Sequence, residues 1–423
     1  MIRTIHHTFA PLADGRFCGR ALGLLLRPWL WKRGPAVQEF RDALREKFHA
    51  DAFLFSSGRE GLLALLQSLH IGPSDDVIVQ AYTCVVIPNA IIAAGATPVF
   101  VDINKETLSL DPQEIRKAIT PKTKTIICQH TFGIPAPLQE LRAICNEYRI
   151  PLIEDCAHVI PDQSGPESVG MTGDFVLLSF GRDKAISGVT GGAILSRRMD
   201  VSNRLQRLEN SAGDLSLFSI KRLLLYPLIY AVARPVYGLG GGLGFGLGKL
   251  FLKTCSVLRI LPPIVTREEK SGHQSPALHK LPNACAALAL SQLTRLQEIN
   301  DHRRMLTRFY LEQCAGHGWP VLHGIRSDLP LQKFPMFIAG AEKIRQSLKK
   351  KNIHLHDGWT GCVICPASVD PSGLGYNDGD DPRAEEVCEQ ILCLPTHPIM
   401  TLVEAKTLVE ALNHESRSPI HNS

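Results

Sequence analysis

Between residues 52 and 195, short apolar runs alternate with segments of helical periodicity, and few folds accommodate this alternation. Strands that are apolar throughout are typical of a mostly parallel sheet that helices cover on both faces. We therefore predict an α/β fold for this part of the chain. The predicted strands are AFLF, DVIVQ, TPVFVD, KTIICQH, PLIED, FVLLSF and GAILS.

Several polar motifs of the same region come directly after its predicted strands. Ligands of parallel α/β sheets bind beyond the carboxyl ends of the strands, so we expect a site where these motifs meet. The motifs are SSGRE, AYTC, HTFG, EDCAH and SFGRDK.

The chain has 423 residues, which is enough for more than one domain. We predict an N-terminal arm and helix at 1–50, a major domain at 51–310 and a smaller α+β domain at 311–423. The net charge of +5 is modest and the basic residues are scattered, so we expect no nucleic-acid partner. The first 34 residues run directly into a helical pattern, and we predict a mature N-terminus on a cytoplasmic protein.

The twelve cysteines lie mostly in apolar contexts such as IICQH and ILCLP. We expect buried thiols in a reducing cytosol. The CVIC segment at 362–365 has the spacing of a zinc-ligand pair, but a zinc site usually requires a second pair, which the sequence lacks. We therefore predict no metal.

Residues 215–265 have an unusual composition, because they are rich in apolar residues and all of their charges are basic. The longest uncharged apolar run has 11 residues, too few to cross a bilayer. Two interpretations remain open. The segment is either a dimer interface or active-site cover, or it lies on a membrane surface together with the basic, Trp-containing stretch at 22–34.

One lysine and one aspartate suggest the chemistry of the predicted site. Asp155 ends the predicted strand PLIED, and Lys184 follows another strand tip 29 residues later. Burying a charged amine without a partner costs free energy, so a buried lysine indicates a chemical role. Burial also favours the neutral form of the amine, which forms Schiff bases. A nearby carboxylate keeps the pyridine nitrogen of pyridoxal phosphate (PLP) protonated. The helix start at SSGRE and the hydroxyl of Ser179 would receive the phosphate.

The ordered motifs resemble the DegT/DnrJ/StrS type of sugar aminotransferase over about 20–200 and 275–415, whereas 205–275 has no match. The resemblance implies a PLP-transferase fold of type I, with a three-layer α/β/α major domain and a smaller C-terminal domain. It also implies a homodimer with an amino donor, expected to be glutamate, and a nucleotide-linked keto-sugar acceptor. If 215–265 lies on a membrane surface, the acceptor would instead be a lipid-linked keto sugar. The motifs are SSGREGL, AYTCVVIPNAI, VFVDI, HTFG, LIEDCAH, SFGRDK followed by GGAI, and LPTHPIMT.

The resemblance assigns roles to individual residues of the site. Lys184 corresponds to the lysine that holds the cofactor covalently and moves the proton during transfer, and Asp155 corresponds to the partner of the pyridine nitrogen. His158 falls beside the position of the cofactor's ring oxygen, and His130 is expected to line the substrate site. The phosphate-cradle positions are Ser179, Gly58 and Arg59.

The sequence departs from the family pattern at three positions. Arg59 stands where the family usually has threonine, and an arginine would contact phosphate more strongly. Cys84 stands where an aromatic residue usually stacks on the ring, and Tyr82, adjacent to the preceding Thr83, is the aromatic residue nearest to that position. The residue that reaches the partner's phosphate falls at His279 or Lys280.

Two alternative functions are kept beside the transaminase. Some relatives of this fold eliminate water from a sugar, but those replace the covalent lysine with histidine, and Lys184 argues against this reaction. The other alternative is a catalytically idle binding module on the same fold, which the departures at Cys84 and Arg59 would favour.

Overall fold

The computed structural model describes residues 4–164, 168–239, 246–355 and 358–416. Its strands, in chain order, are β1 (Ile5–His6), β2 (Asp51–Phe55), β3 (Asp76–Gln80), β4 (Thr83–Cys84), β5 (Thr97–Val101), β6 (Ile103–Asn104), β7 (Ser109–Leu110), β8 (Thr123–Gln129), β9 (Leu152–Asp155), β10 (Phe175–Ser179), β11 (Gly192–Ser196), β12 (Lys333–Phe337), β13 (Ile353–His354), β14 (Ile364–Cys365) and β15 (Ile391–Pro395).

Helices connect and cover these strands. They are α1 (Gly15–Leu25), α2 (Ala36–Phe48), α3 (Gly58–Ser68), α4 (Val86–Ala93), α5 (Pro112–Ala118), α6 (Leu138–Tyr148), α7 (Met199–Ser211), α8 (Leu217–Ala233), α9 (Leu247–Val257), α10 (Arg267–Lys270), α11 (Asn283–Leu293), α12 (Leu296–His317), α13 (Ala341–Lys350), α14 (Pro382–Gln390) and α15 (Leu402–Ser416).

The central sheet has seven strands in the order β2-β11-β10-β9-β8-β3-β5. The strands from β10 to β5 are parallel to their neighbours, whereas β11 is antiparallel to both β10 and β2. All seven correspond to predicted strands, and the predicted α/β fold with a mostly parallel sheet is confirmed. The parallel strands bring the ends of β8, β9 and β10 to one edge of the sheet, where the predicted motifs follow them.

Local sequence signals account for several helix boundaries. Asp111 caps α5, because its carboxylate accepts the backbone N–H of Gln113 at 2.8 Å. Ser57 caps α3 in the same way through the backbone N–H of Glu60. The predicted division of the chain at residue 310 falls inside α12, so it does not coincide with a loop.

The C-terminal part of the chain pairs with the short strand that follows β3, close to the predicted site. Strand β14 pairs with β4, so that Cys365 lies opposite Cys84. Strands β12 and β15 form a separate antiparallel pair that carries Lys333 at its start. The chain after residue 330 therefore supplies one wall of the site.

The apolar segment with basic charges forms α8 and α9, separated by residues 240–245, which lie outside the described residues. Helix α8 packs on α1 and on α9. None of the helices within the described ranges combines the length and the hydropathy needed to cross a bilayer.

Three histidines from distant segments meet at one end of the molecule. The ring of His6 stacks on Phe9 at 3.5 Å and on His354 at 4.6 Å between centroids. His397 Nε2 donates a hydrogen bond to the carbonyl oxygen of His6 at 2.9 Å. Burial and the neighbouring positive charges lower the pKa of His6 to about 2, of His354 to about 4 and of His397 to about 3.

We expect His6→Phe to make the fold less sensitive to acid. The folded state keeps His6 uncharged down to about pH 2, whereas the unfolded chain binds the proton near the ordinary pKa of 6.5. The free energy of unfolding is therefore lost as the pH falls from 6.5 towards 2. Between about pH 7.5 and about pH 5.5, the wild type should lose roughly 1.4 kcal/mol more than the variant. Urea unfolding at both pH values measures this difference, and equal losses would contradict it.

Candidate active site

Lys184 lies in the loop that follows β10, beside His158. Its Nζ is 3.3 Å from Nε2 of His158, which follows β9. The backbone carbonyl of Lys184 accepts a hydrogen bond from Nη2 of the buried Arg303 at 3.3 Å. The adjacent ends of β9 and β10 thus bring together the predicted lysine and the predicted histidine.

The hydrogen bonds of His158 fix which ring nitrogen carries the proton. Its Nδ1 accepts the backbone N–H of Phe132 at 3.2 Å, so the proton of the neutral ring lies on Nε2 and faces Lys184. Burial, with the positive charges of Lys184 and Lys333, holds the pKa of His158 well below 6.5. The Nε2–H of the neutral ring could be donated to the lysine nitrogen only when that nitrogen carries a lone pair, which is the form that attacks a carbonyl carbon.

Asp155 ends β9 and is buried. Its Oδ1 accepts the backbone N–H of Ala157 at 2.9 Å, and among the described residues its Oδ2 accepts no hydrogen bond. Burial raises the pKa of Asp155, while that hydrogen bond and the charges of Lys184 and His130 act in the opposite direction. A buried carboxylate with one oxygen available is suited to a cationic N–H partner.

The start of α3 and the end of β10 form a narrow cradle. A Cβ on Gly58 would lie 3.2 Å from Cβ and 3.3 Å from Oγ of Ser179. On the other side, a Cβ on Gly192 would come within 2.4 Å of the Gly58 backbone. The glycines therefore let the first turn of α3 approach the sheet, and the Ser179 hydroxyl stands beside the helix N-terminus, where anions are favoured.

Arg59 points towards the segment before α10. It forms an ion pair with Glu269, and its Nη2 donates to the carbonyl oxygen of Ile264 at 2.9 Å. The guanidinium is thus engaged by protein groups, and its predicted phosphate contact would compete with them. Arg182 is held by the same part of the chain, because its Nη2 donates to the Pro262 carbonyl at 2.7 Å.

Tyr82 is fully buried and its hydroxyl donates to the carbonyl oxygen of Trp359 at 3.0 Å. The Trp359 ring contacts the rings of both Tyr82 and His158 edge to face, at 5.3 and 5.4 Å. Cys84 is partly buried, and burial raises the pKa of its thiol. The structure therefore places Tyr82 in the wall behind the site, and Trp359 is an aromatic neighbour that the sequence did not identify.

His130 lies in the interior beneath the site. Its Nδ1 accepts the backbone N–H of Ala136 at 3.1 Å, and its Nε2 lies 3.0 Å from Oε2 of Glu154. Glu154 also accepts backbone N–H groups from the 170–173 turn. Cys156 completes the one group of potential metal ligands among the described residues, but the nitrogen and oxygen atoms of this group are already hydrogen-bonded. Both ring nitrogens of His130 are engaged, so within this chain it braces Glu154 rather than facing a substrate.

The residues predicted to reach a partner's phosphate lie on the other side of β2. Lys280 forms an isolated bridge with Phe55, and its backbone N–H donates to the Gly213 carbonyl at 2.8 Å. His279 donates its backbone N–H to Glu60 at 2.7 Å. A contact across a dimer remains a prediction for both.

A small cavity beside Lys184 contains residues that the sequence did not single out. Burial alone would raise the pKa of Asp183, but the positive charges of Lys184, Lys333 and His7 lower it overall. The Nζ of Lys333 is 4.0 Å from Oδ2 of Asp183. The cavity is lined by His7, Pro11, Leu12, Asp183, Lys184, Arg303, Gln332 and His397.

Together these groups define the site of a PLP-dependent enzyme. The lysine and the available Asp155 oxygen lie at neighbouring strand ends, and the Gly58 cradle lies beside Ser179 at the end of β10. The DegT/DnrJ/EryC1/StrS aminotransferase family model matches residues 17–215 and 256–413. The chain belongs to this family, and the resemblance seen in its motifs is confirmed.

Two curated relatives differ in how much of the chain they match. A protein of Methanocaldococcus jannaschii without an assigned function is 24% identical over 97% of this chain and 98% of its own length. UDP-N-acetyl-3-dehydro-α-D-glucosamine 3-aminotransferase of Acidithiobacillus ferrooxidans is 35% identical over 156 residues, which are 37% of this chain and 42% of that protein.

Two solved structures of similar fold cover nearly the whole chain. NtdA from Bacillus subtilis with bound cofactor PMP has a TM-score of 0.74 and 22% identity, covering 99% of this chain and 86% of that chain. DesI in the presence of its TDP-sugar product has a TM-score of 0.72 and 22% identity, covering 98% and 94%. These likenesses confirm the predicted PLP-transferase fold, and the protein is an aminotransferase that uses pyridoxal phosphate.

The residues of this chain fit that cofactor. Asp155 offers an unused oxygen to a ring N–H, and the Gly58 cradle with Ser179 offers donors to a phosphate. Lys184 supplies the amine for covalent attachment. When bound, the cofactor supplies the electron sink that makes a substrate C–H bond acidic.

Proposed function

We propose that this aminotransferase moves an amino group from glutamate to a keto sugar, as a homodimer in the cytoplasm. The observation that carries the proposal is the approach of Lys184 Nζ to His158 beside the available oxygen of Asp155. The twelve cysteines are free thiols in the structure, which suits a reducing compartment.

The proposed roles follow from the hydrogen bonds of each group. Lys184 would move the proton of the transfer, since its Nζ is the amine that the ends of β9 and β10 place beside His158. His158 orients that nitrogen through Nε2 while the Phe132 backbone holds the ring. Asp155 keeps its negative charge against the ring N–H, so that positive charge is retained where electrons accumulate.

We propose a UDP-linked 3-keto hexosamine as the first acceptor to test. The support is the Acidithiobacillus ferrooxidans relative, whose name specifies such a substrate and which is 35% identical over the shared 156 residues. A TDP-linked keto sugar is the second choice, since DesI was solved in the presence of its TDP-sugar product. A lipid-linked keto sugar completes the comparison.

Half-reactions test the donor and the acceptor separately. Glutamate added to the PLP-loaded protein should remove the visible absorption of the covalently bound cofactor and release one equivalent of 2-oxoglutarate per site. The amine form should then regain that absorption only when a suitable keto sugar is added. Aspartate and alanine serve as matched donor controls.

Each outcome separates one alternative from the proposal. Water elimination from a sugar without consumption of glutamate would identify a dehydratase. Absence of visible absorption after addition of PLP would identify an idle module. Recovery of absorption with simple 2-oxo acids but with none of the keto sugars would overturn the acceptor assignment.

A further inference from the structure

The outer face of α8 is apolar although it faces solvent. Its outward positions recur at helical spacing, and Phe218 is 67% exposed while Val232 is 61% exposed. Leu225 and Leu228 continue the stripe between them and are only partly buried. The inner face is also apolar, so this helix is hydrophobic on both sides, which is unusual for a surface helix.

Helix α9 turns its apolar face outward as well. Within α9, Gly248 and Cys255 are the buried positions. The residues on the open side recur at helical spacing through and just past the helix, with Val257 73% exposed. They are Leu247, Leu250, Phe251, Val257 and Leu258.

Helix α1 and the turn after it add to the same group of helices. Helix α1 packs on α8, and it exposes Leu22 and Leu26. Trp29 follows in the next turn and is 72% exposed. We call the exposed apolar residues of α1, α8, α9 and the Trp29 turn the apolar face. A contiguous exposed apolar patch of more than a few hundred Å² usually marks an interaction site.

The charges around the apolar face have one sign. The segment from 215 to 265 has six basic residues and no acidic residue, and the stretch from 17 to 34 has only basic charges too. Lys221 and Lys253 are exposed on α8 and α9. Lys221 lies between Phe218 and Leu225 on the outward face of α8, and Lys253 lies between Leu250 and Val257 on that of α9. Exposed Leu, Phe and Trp side chains combined with Lys and Arg are typical of helices that lie in the plane of a lipid surface.

We propose that the apolar face docks on the anionic leaflet of a membrane, with its leucine and aromatic side chains in the headgroup region and its basic residues on the headgroups. Charge complementarity favours lipid over a second copy of the chain. At a two-fold interface the same basic surface would face itself, with no acidic residue in the segment to compensate.

Most of the residues of α8 and α9 lie outside the family model. The family model matches up to residue 215 and resumes at 256, so the intervening residues of α8 and α9 are not part of the common aminotransferase fold. A surface shared by the whole family, such as its subunit contact, would not be expected to depend on them.

Vesicle flotation of the full PLP-loaded chain tests the proposal. The protein should float with vesicles of phosphatidylcholine and phosphatidylglycerol at low salt, and high salt should release it. It should not float with vesicles of phosphatidylcholine alone. Val257→Glu and Lys253→Glu should each lower the bound fraction on the order of tenfold.

Matched variants on α15 test whether a glutamate at any exposed position would lower binding to the vesicles. Val403 has the same 73% exposure as Val257, and Lys406 is exposed on the same helix. Val403→Glu and Lys406→Glu should float like the wild type. All four variants should keep the glutamate half-reaction, so a failure of docking is distinguishable from a failure of the proposed chemistry.

Three results would overturn the proposal. The first is no flotation of the wild type with anionic vesicles at low salt. The second is equal flotation of Val257→Glu and Val403→Glu. The third is a Val257→Glu protein that floats normally but dissociates into monomers in light scattering, which would make the apolar face a subunit interface.

Discussion

Lys184→Ala should abolish the visible absorption of the covalently bound cofactor and slow the glutamate half-reaction by at least about 1,000-fold. The variant removes both the amine that binds the cofactor and the base that moves the proton. His158 remains held by the backbone N–H of Phe132. Because burial lowers the pKa of His158 well below 6.5, its ring is too weak a base to replace the lysine. Absorption spectra and stopped-flow kinetics with glutamate measure both losses.

A second buried lysine provides a demanding control. Lys333 is 1% exposed and its Nζ lies 5.9 Å from the ring centroids of both Phe132 and Trp359, near the same site. Lys333→Met should keep the visible absorption, since Lys184 is intact. Persistence of the absorption in Lys184→Ala together with its loss in Lys333→Met would assign the covalent lysine to position 333.

The strands that carry the site could be predicted because their signal is local and strong. Continuous apolar runs such as the one before Asp155 place a strand end within a residue or two, and parallel strands then bring their ends together. The approach of Lys184 to His158 follows from that rule, although these residues are far apart in the sequence. The cap at Asp111 was predictable for the same reason, since capping depends on neighbouring residues.

The wall of the site could not be predicted, because it comes from segments without a local pattern. Trp359 contacts His158 because β14 pairs with β4. The sequence around position 359 has no local pattern that predicts this pairing. Lys333 would have been expected at the surface as a lysine, yet it is buried beside Asp183.

Arg59 illustrates a second kind of limit. Its position at the start of α3 favoured a phosphate contact, and the helix start was correct. Its ionic partner, Glu269, lies in the part of the sequence that had no recognised counterpart. A side chain as long as arginine reaches several alternative partners, and only the three-dimensional placement of the 262–270 segment distinguishes them.

Asp155→Asn should leave the cofactor bound and visible, but should slow the glutamate half-reaction by about 1,000-fold. The amide has nearly the shape of the carboxylate and can still accept the N–H of Ala157 through its oxygen. It has no negative charge to hold a proton on the ring nitrogen, so the electron sink is weakened while Lys184 is unchanged. Rapid kinetics at saturating glutamate measure the loss, and Asp155→Glu should recover part of it.

The neighbouring residue of β9 provides the control that separates catalysis from folding. Glu154 points to the opposite face, where it accepts hydrogen bonds from His130 and from the backbone of Gly170, Thr172 and Gly173. Glu154→Gln should therefore lower the free energy of unfolding by about 3 kcal/mol, since an amide cannot accept all four of the hydrogen bonds that the buried carboxylate accepts. Asp155→Asn should have little effect on the urea midpoint, because its one backbone contact is kept. A loss of stability as large as that of Glu154→Gln would show that Asp155 supports the fold rather than the cofactor ring, and would remove the basis for its catalytic assignment.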